Sequence, residues 1–107
     1  MCNVPDKRIL LGALYDTYGP LLSEKQQLVL DYYYNDDLSL SEIAQNIGIT
    51  RQGVRDLLIH GEEQLYFFEE KLGIYARNEK IGETAKQIAA LTDDGRIKAL
   101  AASLSER

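Results

Sequence analysis

Arg51, Gln52 and Arg55 lie within a turn and a half of one another in the run ITRQGVRDLL, and their guanidinium and amide donors are of the kind that meet base edges in a groove of DNA. They qualify only if a helix presents them outward. The surrounding stretch from Leu38 to Leu58, LSLSEIAQNIGITRQGVRDLL, supplies that helix and a partner for it. Ser39 with Glu42 three residues on forms a capping box, so a first helix starts near Leu40. Ile43, Ile47, Ile49, Val54 and Leu57 are the apolar positions, and Ala44 is small enough for a second helix to cross closely. Gly48 permits the left-handed backbone of a tight turn, and Thr50 caps the second helix. With Val54, Leu57 and Leu58 facing inward, periodicity turns Arg51, Gln52 and Arg55 outward. The pattern is a helix-turn-helix. A tight helical hairpin that binds nothing, or binds protein, would leave the same pattern.

Other chemistry has little to build on. His60 is the single histidine, which rules out a multi-histidine zinc site and leaves no choice of partners for a Ser/His/Asp triad. The eight glycines form neither a phosphate loop nor a dinucleotide fingerprint. Glu62-Glu63 and Glu69-Glu70 are adjacent pairs that point about 100° apart on a helix, as a hydrated face does. Tyr32, Tyr33 and Tyr34 could stack on bases, but on a helix they read better as packing. Gly53 could allow close backbone approach to a partner, and tight packing against a neighbouring helix is the favoured reading. No catalytic residue, metal, cofactor or small-molecule substrate is expected.

Composition bounds the partners. A chain of 107 residues with 45% hydrophobic and 27% charged residues is the size and makeup of one globular domain. No apolar run approaches the roughly 20 residues of a membrane span. The opening MCNVPDKR lacks a signal peptide's apolar core, and a lone Cys2 suits a reducing compartment, so a cytoplasmic protein without membrane contact is expected. Seventeen acidic against twelve basic side chains give a net charge of −5, the opposite of a basic stripe. Within residues 39–60, Arg51 and Arg55 balance Glu42 and Asp56. Duplex binding should therefore be weak, or depend on a partner or on two copies pooling their sites.

Every other segment reads as helix. Pro5 suits a first turn, and Leu10, Leu14 and Tyr18 recur every four residues, with Ile9 and Ala13 beside them, before Gly19-Pro20. Ser23 with Gln26 is a second capping box, opening a helix whose Leu28, Val29, Tyr32 and Tyr33 can face a core before Asn35-Asp36-Asp37 ends it. The second motif helix continues to Leu72 along Val54, Leu58, Gly61, Leu65 and Phe68, with Gly73 as the stop. Ile59, Tyr66 and Phe67 lie off that stripe and need cover. Ile74, Ile81 and Ile88 are seven apart, with Ala85 and Leu91 nearby, as in a helix that packs lengthwise on another. A last helix after Thr92-Asp93-Asp94 has Ile97, Leu100, Ala101 and Leu104 on one face. The expected architecture is one all-α domain over residues 1–107. It holds a helix-turn-helix core at 22–72 and a C-terminal helical extension at 73–107 that folds back or pairs two chains as a homodimer.

Leu22 to Leu58 resembles the promoter-reading region 4 of bacterial sigma factors, in its leading helix and in its helix-turn-helix. A longer stretch from Leu14 to about Lys80, carried by DTYGPLLSEKQ, DYYYNDDLSLSEIA and EEKLGIY, is similar to the YlxM-type proteins of Gram-positive bacteria. That resemblance implies a three-helix core of winged-helix type without the wing, and a DNA-binding regulator linked to the signal recognition particle pathway. Carried over by position, the recognition turn is Arg51, Gln52 and Arg55, with Thr50 and Ser41 close to phosphates. One departure stands out: HGEEQL at 60–65 replaces the basic continuation usual in sigma-type domains. Three functions follow, a DNA-binding regulator, an accessory protein contacting the particle's RNA or GTPase, or a protein-binding module using Ile59, Tyr66 and Phe67.

Overall fold

The computed structural model describes residues 6–105, so the expectations for Cys2 and Pro5 fall outside it. Six α-helices account for most of the described chain, with no strand among the described residues: α1 Lys7–Tyr18, α2 Glu24–Leu30, α3 Leu40–Ile47, α4 Arg51–Leu72, α5 Ile74–Ala90 and α6 Gly95–Leu104. The all-α class expected from the periodicities is the class found. Where one domain over 1–107 was expected, the chain separates into two compact units at the Leu72–Gly73 junction, and α1 belongs to the first with the helix-turn-helix. Gly73 takes the left-handed backbone, φ 63°, at that junction.

In the N-terminal unit α4 is the element on which α1, α2 and α3 all pack. Leu11, Leu14, Tyr18, Val29, Leu30, Ile43, Val54 and Leu65 are sealed from solvent there. Burying each such aliphatic side chain contributes about 1.5–3 kcal/mol. The interior face of α1 is Leu11, Leu14 and Tyr18, while Ile9 is 69% exposed and Leu10 only half-buried. The reason is angular. A four-residue spacing drifts by about 40° per step, whereas 11, 14 and 18 stay on one narrow arc. On α2 the inward residues are Val29 and Leu30, with Leu28 exposed. The helix does not stop at Leu30 but widens into a π-helical turn over Asp31–Asn35, ending at Asp37 with φ 57°.

That turn is held from α1. Arg8 donates to the Tyr33 carbonyl and, at 2.8 Å, to Asp37, with its guanidinium 4.5 Å from the Tyr33 ring centroid. Tyr34 donates to Glu62 of α4, and burial, with that bond second, pushes its hydroxyl well above the ordinary tyrosine value. Tyr33 and Tyr34 are thus engaged in packing and hydrogen bonding. Gly61 marks where α2 meets α4: a Cβ there would lie 2.7 Å from Leu30 Cδ1.

Both capping boxes form. Ser39 N donates to Glu42 Oε1 at 3.0 Å and Glu42 N donates to Ser39 Oγ at 3.1 Å; Ser23 and Gln26 do the same at the head of α2. The Ser39 backbone amide and then its side chain hold the Glu42 carboxyl below the usual carboxylate value. Because the folded value is the lower one, the contribution is present above the ordinary glutamate range and fades as pH falls through the folded value. Gln keeps the accepting oxygen and does not titrate. Between about pH 6 and pH 3 the thermal midpoint of Glu42→Gln should fall less than that of the parent. Equal falls would remove the capping box from the acid response.

In the C-terminal unit α5 and α6 pack on each other, and Asp94 caps α6 by accepting from Arg96 N at 2.8 Å. The residues buried there are small, Ala85 at 3% and Ala101 at 2% exposure, while of the seven-spaced isoleucines Ile81 lines a groove with Leu104 of α6. Ile74 and Ile88 are exposed and Ile81 is half-buried. Alanines let two helix backbones approach, which pushes the longer side chains to the rim of the contact.

Candidate nucleic-acid interface

The turn between α3 and α4 is built as its residues require. Gly48 has φ 75°, a conformation costly for any side chain, and its amide closes on Ala44 O at 2.9 Å. Thr50 Oγ1 accepts from Gly53 N at 2.9 Å and so caps α4. Ile43 and Val54 are fully buried, Leu58 is 7% exposed and Ala44 9%. With Val54, Leu58, Gly61 and Leu65 as the interior stripe of α4, Arg51, Gln52 and Arg55 on its first turns are all three exposed. Neither arginine has an ion-pair partner among the described residues. They are i, i+4 neighbours, so the two guanidiniums project from one patch.

The other expected positions are less free. Gln52 Nε2 donates to Asp56 Oδ1 at 2.9 Å, so its amide must leave that carboxylate to meet any other acceptor. Thr50 is exposed, with its oxygen in the cap, and its proton remains available to donate. Ser41 is exposed in the first turn of α3. Gly53 is not packed against a neighbouring helix: a Cβ there would meet Thr50 Oγ1 at 3.1 Å and Ile49 Cδ1 at 3.5 Å, which belong to the turn itself.

One grouping escaped the sequence reading. A groove of about 450 Å³ in the N-terminal unit is lined by Arg55 and Glu62 of α4, by Lys7 and Arg8 of α1, and by Asp6 and Leu58 among others. It brings two cations distant in sequence to the same opening as Arg55, against two carboxylates. Asp6 is the cap of α1, accepting from Arg8 N at 2.8 Å. That cap, with the basic pair directly behind it, was the signal available. Among the described residues no helix is long and apolar enough to cross a membrane, and no group of three or more His, Cys, Asp or Glu is placed to hold a metal ion.

A family model described as "Putative helix-turn-helix protein, YlxM / p13 like" (UPF0122) matches residues 5–102. A UPF0122 protein of Thermoanaerobacter sp. strain X514 is 46% identical over 76 residues, which is 71% of this chain but 65% of that protein. A UPF0122 protein of Clostridium kluyveri is 43% identical over 88 residues, covering 82% of this chain and 79% of the relative. One from Halalkalibacterium halodurans is 40% identical over 88 residues, covering 82% and 81%. The family description is that of a helix-turn-helix protein and names no enzymatic activity. With nearly its whole length matched and its two motif helices capped and packed on each other, the chain belongs to the UPF0122 family of YlxM / p13-like helix-turn-helix proteins.

Proposed function

We propose that this protein is a cytoplasmic DNA-binding regulator that lays the amino end of α4 in the major groove. Arg51, Gln52 and Arg55 reach base edges, and Thr50 and Ser41 contact phosphates. The observation that carries this reading is the exposed, unpaired Arg51–Arg55 patch on the second helix of a helix-turn-helix. Arg can fork two hydrogen bonds onto guanine and Gln onto adenine. The resemblance to YlxM-type proteins is what connects such a regulator to the signal recognition particle pathway.

The acidic balance favours two copies acting together. The α5–α6 unit supports a homodimer: Ala85 and Ala101 are its buried residues among those described, while Leu91, Leu100 and Leu104 are 87%, 69% and 53% exposed. A helical hairpin below roughly 40 residues seldom holds itself together, and a second copy would cover that apolar area. Five basic and four acidic side chains over residues 73–105 leave little net repulsion between two such hairpins.

The test is fluorescence anisotropy with a labelled random-sequence duplex over a salt series, with light scattering on the same sample. The expected result is affinity that falls steeply and linearly in log salt, and a mass twice the 12.1 kDa of one chain. Absence of duplex binding at low salt overturns the DNA reading. Retention of structured RNA alone under those conditions would move the same patch to RNA. A monomer at all concentrations would remove the pairing.

A further inference from the structure

The outer side of α4 carries a feature that DNA binding does not use. Opposite the interior stripe, Asp56, Ile59, Glu63, Tyr66, Phe67 and Glu70 fall on one arc, by the roughly 100° that each residue turns. It runs about 21 Å along the axis, at about 1.5 Å per residue. Ile59, Tyr66 and Phe67 are 40%, 40% and 54% exposed. A scattered exposed apolar residue needs no account, but these three share one arc of a single helix, and two are aromatic. Between and beside them stand three carboxylates seven residues apart. Glu63 and Glu70 have no ion-pair partner among the described residues, and the cation at the edge, Lys71, sits 5.7 Å from the Phe67 ring centroid.

The chemistry selects among occupants. A polyanion is repelled by the carboxylates. A second copy laid on this face would bring like carboxylates together around the same apolar anchors. A helix with apolar residues at i, i+3, i+4 and i+7 and Lys or Arg beside them would cover Ile59, Tyr66 and Phe67 and pair with Glu63 and Glu70. We propose that the Ile59–Glu70 face of α4 is a docking surface for a basic amphipathic helix of another protein. This surface adjoins the Arg51–Arg55 patch at Ile59, which lines the same groove as Arg55, and runs from there toward the carboxyl end of α4; it does not rest on the DNA reading.

The probe is a designed peptide of about 18 residues with Leu at the four apolar positions of each two turns and Lys on the flanks, matched by a version with Glu for Lys. Titration calorimetry on the full chain should give at least about 10-fold tighter binding of the Lys peptide, a coupling of the size seen for close charge pairs. Glu63→Lys with Glu70→Lys should reverse the preference, Tyr66→Ser with Phe67→Ser should abolish binding of both peptides, and Arg51→Ala, two turns from Ile59, should change neither. All these positions are exposed or edge positions, and circular dichroism confirms that each variant folds. Equal binding of the two peptides overturns the proposal. So does a preference that survives the lysine changes, or a dimer that the Tyr66/Phe67 variant alone converts to monomer, which would assign the face to a second copy.

Discussion

Gly61→Val lowers the unfolding free energy of the N-terminal unit by about 2–3 kcal/mol, because α2 leaves no room for a side chain at this point of α4. The first added carbon would stand 2.7 Å from Leu30 Cδ1, and Leu30 is 0% exposed, so its methyl has no solvent to swing into. A gain of about 1 kcal/mol in helix propensity, the margin by which Ala exceeds Gly, is the most that any replacement could recover. Leu30→Ala alone opens a cavity at the same place and costs about 2–5 kcal/mol. Combined, the two changes correct each other in part, since the valine enters the space that leucine vacates. The double variant should be more stable than the sum of the singles by about 1–2 kcal/mol. Urea unfolding followed by circular dichroism reads all four proteins. Additivity within about 0.5 kcal/mol would mean that α2 and α4 do not meet here.

Arg51→Glu combined with Arg55→Glu weakens duplex binding by at least about 100-fold, and the urea midpoint stays where it was. Each arginine that leaves a bidentate base contact forfeits about 1–3 kcal/mol, and each that leaves a phosphate lowers the salt slope by about one. Reversal adds like-charge repulsion to those losses. Stability is spared because both side chains are exposed, whereas Val54 and Leu58 on the same helix hold the interior. If affinity for duplex changes only a few-fold, the amino end of α4 is not the reading surface.

Local signals were legible wherever a structure depends on neighbours in the chain. The Ser23–Gln26 and Ser39–Glu42 boxes, the Gly48 turn, the Thr50 cap and the run of α4 to Leu72 each rest on residues within a turn or two, and each is present. The exposure of Arg51, Gln52 and Arg55 followed from periodicity in the same way. Reading failed where a choice lay between adjacent apolar residues. Leu10 and Leu11 are equally apolar, and only the arc facing α4 selects Leu11. Leu28 and Leu30 differ in the same respect.

Hydrophobic spacing, capping chemistry and glycine placement were sufficient to specify an all-helical chain with a crossed helix pair and three polar groups directed away from its interior. Those are properties of one helix at a time, and 3.6-residue periodicity encodes them in a single strand of text. Contacts between segments distant along the chain are not encoded that way. Arg8 reaching the π turn at Tyr33 and Asp37, Tyr34 reaching Glu62, Gly61 yielding to Leu30, and Lys7 and Arg8 sharing an opening with Arg55 all require the helices to have packed. The break at Gly73 was legible, because a left-handed glycine ends α4 there; that α1 joins the helix-turn-helix in one unit was not, because it depends on which surfaces find partners.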